Sequence, residues 1–282
     1  MPLISIYSEL VRGRKEGFAV PLFDAFDGLS ADGMIAAQVQ EHAPGIVGVY
    51  SGTFDQPNGP ALVAYIRARL AELPGPTSIF LDHGTSLEQC MRAIRSGFSD
   101  VMFDGSKLPI AENIAETKAI VRAAHAVGVH VEAELGHVGS GSNYTEFGGK
   151  RLGFTNPDDV ERFVAETGVD FLAVAVGSAH GVYVGQPHID LELLGEIRRR
   201  VDIPLVMHGG SGLSEQQFRS AIELGISKIN ISTDLVNATG KRLVAEGLSE
   251  KSGYFSFTQA IADTFKERAS YYLRLFGSSG KA

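Results

Sequence analysis

Short apolar runs alternate with longer amphipathic stretches along the whole chain. The apolar runs predict strands over residues 18–23, 46–50, 78–81, 100–103, 129–135, 171–176, 205–208 and 228–231. The stretches between them predict helices that include residues 59–73, 86–96, 110–127, 157–167, 189–201 and 215–224. Continuous apolar strands separated by helices are typical of βα units around a parallel sheet. Eight such strands in 282 residues favour an α/β fold, a closed (β/α)8 TIM barrel, over an open sheet.

Three segments lie outside this minimal pattern. Residues 4–12 predict an extra N-terminal helix, which we expect to plug one mouth of the barrel. Residues 136–153 form a long Gly- and Ser-rich loop after the fifth strand, and we expect it to be a mobile lid. A last helix over residues 257–276 precedes a tail that we expect to be flexible. No linker divides the chain, so we predict one barrel domain over residues 1–282.

The acidic balance of the chain limits its partners. The formal net charge is −8, whereas nucleic acids and anionic membranes attract basic proteins. No apolar stretch approaches the roughly 20 residues that span a bilayer. Cys90 is the only cysteine, which excludes an intrachain disulfide and a thiolate zinc cage. The first residues do not resemble a signal peptide, so we expect a cytoplasmic protein without nucleic-acid or membrane partners.

Polar residues collect at the carboxyl ends of the predicted strands or just beyond them. These residues are Asp82, His83, Asp104, Glu132, Glu134, His180, His208 and Asn230. The active sites of TIM barrels form at this end of the strands. Because the residues are far apart in sequence, only closure of a barrel would bring them together.

Three histidines, His83, His180 and His208, are the sharpest candidates among these residues. Three imidazoles with one open position form a catalytic zinc site, which polarises a carbonyl or activates water. A lone histidine is more often a surface or hydrogen-bonded core residue, but three at neighbouring strand ends favour a metal. We therefore predict one catalytic Zn²⁺ per chain. We assign structural roles to the other histidines, His42, His125, His130, His137 and His188.

Three carboxylates, Asp82, Asp104 and Glu134, surround the same predicted mouth. One of them can act as a general acid or base, while the others hold a secondary cation or orient the histidines. The alternative is that Asp82 or Asp104 caps the helix after its strand. Chemistry is favoured for Asp82, which adjoins a predicted ligand, and both alternatives stay open for Asp104.

Two turns resemble the phosphate site of barrels. Gly209 and Ser211 follow the seventh strand, and Asn230, Ser232 and Thr233 lie where the eighth strand runs into a helix. Backbone N–H groups and helix N-termini after strands seven and eight often bind phosphate in TIM barrels. An ordinary βα turn has a similar sequence, so the position of these turns is what favours a phosphate site.

Five motifs together resemble the class II, metal-dependent ketose-bisphosphate aldolases. They are residues 81–84 (LDHG), 131–136 (VEAELG), 173–181 (AVAVGSAHG), 208–212 (HGGSG) and 228–230 (KIN). The chain is most similar to the branch that contains the tagatose- and fructose-bisphosphate aldolases. The resemblance spans nearly the whole chain, and the combination of motifs is specific although no single motif is.

This resemblance implies a lyase that cleaves or forms a ketose phosphate through a zinc-stabilised enediolate, with dihydroxyacetone phosphate and an aldehyde as products. His83, His180 and His208 match the zinc ligands. Asp82 matches the acid/base at the bond being broken, and Asp104 and Glu134 match a secondary cation region. The positions that match the dihydroxyacetone phosphate site are Gly181, Gly209, Ser211, Asn230 and Thr233. The resemblance also implies a homodimer or homotetramer and needs no Schiff-base lysine, for which no predicted strand offers an obvious candidate.

Three departures from the family pattern concern the substrate. The loop has Ser142 where many members carry the Glu that exchanges a proton at the enediolate carbon. Glu146 is either its replacement or a solvated loop residue. Asp24 lies where the family has Asn, and residues 254–257 lack an Arg that serves a second phosphate. We therefore expect a ketose 1-phosphate to be preferred over a 1,6-bisphosphate.

Two other functions stay open. A non-catalytic barrel subunit of an aldolase complex would explain the altered loop, but it would not need His83, His180, His208 and Asp82. A metal-dependent sugar-phosphate epimerase or isomerase would use the same enediolate. The aldolase hypothesis and the epimerase or isomerase hypothesis both imply a small-molecule sugar phosphate as the binding partner.

Overall fold

The chain folds into the predicted barrel. The computed structural model describes residues 4–143, 153–246 and 253–282. Parallel strands pair in sequence order, and the first strand closes on the eighth. They are β1 (Val20–Asp24), β2 (Gly45–Tyr50), β3 (Thr77–Gly84), β4 (Asp100–Phe103), β5 (His130–Leu135), β6 (Phe171–Val174), β7 (Leu205–Met207) and β8 (Ile226–Ile231). Each predicted strand overlaps one of these, so the predicted TIM barrel is confirmed.

Helices follow the strands around the barrel. They are α1 (Tyr7–Glu16), α2 (Gly28–Glu41), α3 (Ser51–Phe54), α4 (Gly59–Leu70), α5 (Leu87–Ser96), α6 (Ile110–His125), α7 (Pro157–Thr167), α8 (Leu191–Arg200), α9 (Glu215–Glu223), α10 (Thr233–Ala245) and α11 (Gly253–Leu275). Side-chain caps explain where several begin. Asp27 and Ser30 form a capping box at the start of α2, and Ser214 and Gln217 form one at the start of α9.

Alternate residues of the strands face the barrel axis and fill its lower part. This inner cluster comprises Val20, Leu22, Ile46, Phe80, Met102, Phe171, Ala173 and Val206. The first helix closes the amino-terminal mouth, because Leu10 of α1 and the preceding Ile6 are fully buried against the cluster. The predicted N-terminal plug is therefore confirmed, and the opposite end of the barrel is left for polar side chains.

The carboxyl-terminal tail packs against the end of α2. The backbone N–H of Gly280 donates to the carbonyl of Glu41, and that of Ala282 donates to the carbonyl of His42, each at 2.8 Å. The expectation of a flexible tail is therefore wrong, because these hydrogen bonds and the buried Ser278 hold it in place. Within the described ranges we find no helix with the length and apolar character that crossing a bilayer requires.

Candidate active site

Charged and polar side chains replace apolar ones at the carboxyl end of the barrel. Glu132 and Glu134 lie two residues apart in β5, and Lys228 and Asn230 lie two residues apart in β8. Residues two apart in a strand point to the same face, and all four of these side chains are buried. Side chains alternate between the two faces along each strand. This alternation makes the barrel axis apolar near its amino-terminal end and directs these four polar side chains to the axis near its carboxyl end.

Strand β3 brings two consecutive residues, Asp82 and His83, to the site. Successive residues of a regular strand point to opposite faces, but the pairing of β3 with β4 shifts register between Leu81 and Gly84. His83 has a left-handed backbone with φ of 52°, which is uncommon outside glycine. This local irregularity lets both side chains reach the same site.

The three histidines predicted as ligands lie together. The ligand nitrogen atoms of His83, His180 and His208 lie within 4.8 Å of one another. Nε2 of His83 is 3.0 Å from Nδ1 of His208, and the His180 ring centroid is 5.0 Å from that of His83. Zinc–nitrogen bonds of about 2.0–2.1 Å in a tetrahedral site place two nitrogens about 3.3–3.4 Å apart. The donor set therefore fits a zinc ion.

Carboxylates hold the second nitrogen of two of these rings. Nδ1 of His83 is 2.8 Å from Oδ2 of Asp104, and Nε2 of His208 is 2.8 Å from Oε1 of Glu132. Such partners fix the orientation and tautomer of a ligating imidazole. Neither Asp82 nor Asp104 caps a helix, because α5 and α6 have Ser86 and Pro109 at their N-cap positions.

His180 is held through its backbone by the start of the loop that follows β5. Its N–H donates to the carbonyl of Gly139 at 2.8 Å, and its carbonyl accepts from the N–H of Gly141 at 2.7 Å. The loop and the third predicted ligand are thus joined. Residues 144–152 of this loop, including the predicted Glu146, lie outside the described part of the chain.

Neighbouring charges change the pKa values of the clustered groups in opposite directions. Burial lowers the pKa of His83, but Asp82 and Asp104 more than offset this and raise it to about 10. Burial and the charge of His83 lower the pKa of His180 to about 4. Burial and the charge of Asp104 raise the pKa of Glu134 to about 8. The carboxylates thus favour a positive charge among the histidines, which a metal cation would supply.

Two residues that have no role in the sequence-based prediction, Glu132 and Lys228, lie beneath the histidines. Nζ of Lys228 is 2.9 Å from Oε2 of Glu132 and donates to Oδ1 of Asn230 at 2.7 Å. Lys228 is thus a strand lysine at the site, but its ammonium group is fully buried and held by these two contacts, so it is not an obvious Schiff-base lysine. The sequence spacing could have indicated these two residues. Lys228 precedes Asn230 by two residues and Glu132 precedes Glu134 by two, and residues two apart in a strand point to the same face.

A cavity of about 40 Å³ opens beside His180. Its lining residues are Asp24, Asp82, His180, Gly181, Gly209, Ser211, Asn230, Ser232 and Thr233. They include Asp82 and all six residues predicted to bind the substrate or its phosphate. Gly209 is required here, because a Cβ atom would lie 2.3 Å from the Ala179 carbonyl oxygen and the residue has a φ of 68°.

The amino terminus of α10 borders this cavity. The backbone N–H of Asp234 donates to Oγ of Ser211 at 3.1 Å, which joins the loop after β7 to the first turn of the helix. Arg268 pairs with Asp234 at 2.7 Å and lines an adjoining cavity of about 480 Å³. Hydroxyl groups and the N–H groups of a helix start suit a bound phosphate.

Asp24 lies at the end of β1 and lines the same small cavity. It is buried, and its Oδ1 atom has no hydrogen-bond partner among the described residues. Burial, with the charge of Asp82, raises the pKa of Asp24 to about 8. The Asp24 side chain also bonds Ser232, so one of its carboxyl oxygens lacks a partner among the described residues at the edge of this cavity.

Comparisons with known proteins agree with this geometry. The family model described as "Fructose-bisphosphate aldolase class-II" matches residues 6–281. The structure of the YdjI aldolase from Escherichia coli K12 is 31% identical, with a TM-score of 0.89 over 99% of both chains. The fructose-bisphosphate aldolase of Campylobacter jejuni is 21% identical, with a TM-score of 0.83 over 100% of this chain and 97% of that one. The second likeness is one of fold alone.

Proposed function

The chain belongs to the class-II fructose-bisphosphate aldolase family, and we propose that it is a metal-dependent aldolase that cleaves a ketose phosphate into dihydroxyacetone phosphate and an aldehyde. The observation that carries this proposal is the cluster of His83, His180 and His208 next to a cavity lined by Asp82. The same residues catalyse the reverse addition, since a catalyst accelerates both directions.

One Zn²⁺ per chain is assigned to the three histidines. When bound, it supplies Lewis-acid stabilisation of the negative charge that develops on the ketone and hydroxyl oxygens. The chain itself keeps two ligands oriented, because Asp104 and Glu132 each hold one ring. Asp104 and Glu134 form a second group of possible ligands with His83, which supports a secondary cation there.

Asp82 is assigned the proton transfer at the oxygen that becomes the aldehyde. The amide of Asn230 donates to Oδ1 of Asp82 at 2.8 Å, and this contact holds the carboxylate at the cavity. As the carbon–carbon bond breaks, the carboxylate accepts the hydroxyl proton, and it returns the proton in the addition direction. Glu146 is assigned the other proton transfer, at the enediolate carbon.

The phosphate of the dihydroxyacetone half is assigned to the side of the cavity formed by Gly181, Gly209, Ser211, Ser232 and Thr233. The backbone N–H groups at the start of α10 support this assignment. The far end of the substrate is assigned to the side lined by Asp24, where an uncharged, hydroxylated group is favoured over a second phosphate. A ketose 1-phosphate is therefore the proposed substrate.

The proposal extends to a homodimer or homotetramer in the cytoplasm. Exposed apolar side chains at the end of α10 and the start of α11, those of Val244, Tyr254 and Phe255, support a subunit interface. Light scattering coupled to size exclusion gives the oligomeric state directly.

A coupled assay for dihydroxyacetone phosphate release, run across a panel of ketose phosphates, tests the function. We expect cleavage that is lost on chelation and restored by Zn²⁺. Borohydride with dihydroxyacetone phosphate should not inactivate the enzyme, because Lys228 is fully buried and already bonded. An epimerised or isomerised sugar as the only product would favour the isomerase alternative, and no turnover on any sugar would favour the non-catalytic subunit.

A further inference from the structure

Lys228 is a charged side chain with no access to solvent. It is 0% exposed, and its Nζ atom lies 4.4 Å from the centroid of the Phe80 ring. The ammonium group contacts Glu132 on one side and Asn230 on the other. A buried lysine with two polar partners and an aromatic face is fixed in position.

The contact with Glu132 leads to the proposed metal site. Lys228 lies against Oε2 of Glu132, and Oε1 of the same carboxylate faces Nε2 of His208 at 2.8 Å. A carboxylate only accepts hydrogen bonds, so Nε2 of His208 carries the hydrogen. Nδ1 of His208 is then left with its lone pair directed at the histidine cluster.

The contact with Asn230 leads to the proposed acid/base. An ammonium group only donates, so the atom of Asn230 that faces Lys228 must be the amide oxygen. The amide nitrogen is thereby directed to Oδ1 of Asp82, 2.8 Å away. Lys228 and Asp82 therefore require the same orientation of the Asn230 amide, and Lys228 holds the end of that amide which Asp82 does not contact.

We propose that Lys228 is a positioning residue that sets both the tautomer of His208 and the orientation of Asp82 from one buried ammonium group. This inference rests on the proposed function, because it gives those two residues roles in binding a metal and moving a proton. Stability alone does not explain the arrangement, since a buried ion pair is often no more stabilising than apolar residues of similar volume.

Two variants separate the two contacts. Lys228→Met alone would leave Glu132 as an uncompensated buried carboxylate, so the test uses Lys228→Met/Glu132→Gln, which removes both charges. Glu132→Gln alone keeps the ammonium group and its contact with Asn230, and the amide oxygen of the Gln can still accept a hydrogen bond from Lys228. Asp100→Asn is the matched control, because Asp100 is also fully buried inside the barrel but is bonded to Ser5 and Ser78 near the N-terminal plug.

Three quantities are measured for the wild type and for each variant. They are the zinc affinity by chelator competition, the absorption spectrum of the Co²⁺ form and kcat at saturating zinc. We expect the double variant to fold, to bind zinc about tenfold or more weakly and to lose about tenfold or more in kcat, with KM changed much less. Glu132→Gln should lose zinc affinity but keep more of kcat than the double variant. Asp100→Asn should bind zinc as the wild type does.

Zinc affinity and kcat within about twofold of wild type in the double variant would overturn the proposal. If that variant does not fold, unchanged zinc affinity in Glu132→Gln overturns it instead. If the wild type cleaves no ketose phosphate, the proposed function fails, whereas the zinc affinities and Co²⁺ spectra still decide whether Lys228 positions His208.

Discussion

Nε2 of His83 and Nδ1 of His208 face each other at 3.0 Å, although the residues are 125 positions apart in the chain. The other nitrogen of each ring contacts a carboxylate, which is Asp104 for His83 and Glu132 for His208. Carboxylates thus orient both imidazoles so that the rings face one another. The remaining nitrogen of each ring is then available to one shared cation. This relationship makes the metal site the first feature to test.

Replacement of His208 by Ala should remove the metal. The fully buried imidazole supplies one of three proposed ligands, so we expect zinc affinity to fall by about 100-fold or more and cleavage to be lost. Metal analysis after dialysis measures this. His125→Ala is the control, because His125 pairs with Asp170 away from the cluster. Stoichiometric zinc and full activity in His208→Ala would contradict the assignment.

Asp82→Ala should separate turnover from binding. The carboxylate lines the small cavity but is not among the proposed zinc ligands. A positioned acid/base contributes about 10²–10⁴-fold to rate, so we expect a loss of that size in kcat with zinc content unchanged. Steady-state kinetics and metal analysis on one preparation measure both. A loss of less than about tenfold would assign the proton transfer to another residue.

The fold and the main site residues can be predicted from the sequence because simple periodicity decides both. Apolar runs set the strands, and the positions of His83 and His208 at the ends of β3 and β7 place both residues at one mouth of a barrel. Lys228 and Glu132 are harder to assign, because a charged residue within a strand does not itself show whether its side chain faces the barrel axis or the surrounding helices. Only the closed barrel decides which face is inside.

Local backbone irregularities cannot be predicted from the sequence pattern. Alternation alone would place Asp82 and His83 on opposite faces of β3. The register shift and the left-handed φ of His83 bring both to the site. The prediction also fails for the tail after α11, since its small and polar residues give no sign of the backbone hydrogen bonds that hold it to the end of α2.

Glu146→Gln should slow the exchange of solvent hydrogen at the enediolate carbon more than it weakens substrate binding. A carboxylate that moves this proton acts after the half-substrate is bound, so its loss lowers a rate constant rather than an affinity. Exchange of label from D₂O into dihydroxyacetone phosphate measures the step. Glu161→Gln, in the exposed face of α7, is the control. An unchanged exchange rate would make Glu146 a solvated loop residue.

Cys90 should resist thiol reagents in the native protein. It is fully buried in α5, and burial raises the pKa of its thiol to about 12. The reactive thiolate is therefore scarce at any pH well below 12. We expect 5,5′-dithiobis(2-nitrobenzoate) to react at pH 8 only after unfolding in guanidinium chloride, which releases one equivalent of thiol. A stoichiometric reaction within minutes in native buffer would contradict the buried position.

The residues around the far end of the substrate should determine whether the enzyme prefers a substrate with one phosphate or with two. None of the described residues lining the small cavity is Arg or Lys, although Arg offers the best geometry for a phosphate. Arg268 is paired with Asp234 on the side assigned to the first phosphate, and Arg274 is paired with Glu41 at the opposite end of the barrel. Asp24 instead presents a carboxyl group to this space.

A ketose 1-phosphate should therefore have the higher kcat/KM, and the preference should depend on pH. Because the pKa of Asp24 is raised to about 8, its ionised fraction, and with it the repulsion of a second phosphate, grows as the pH rises through that value. Asp24→Asn removes this charge and should reduce both the preference and its pH dependence. The measurement compares fructose and tagatose 1-phosphates with the 1,6-bisphosphates from about pH 6.5 to about pH 9, a range of about 2.5 units that includes that pKa. A preference of more than about tenfold for the bisphosphates, worth about 1.4 kcal/mol in transition-state binding, would show that Asp24 does not exclude a second phosphate.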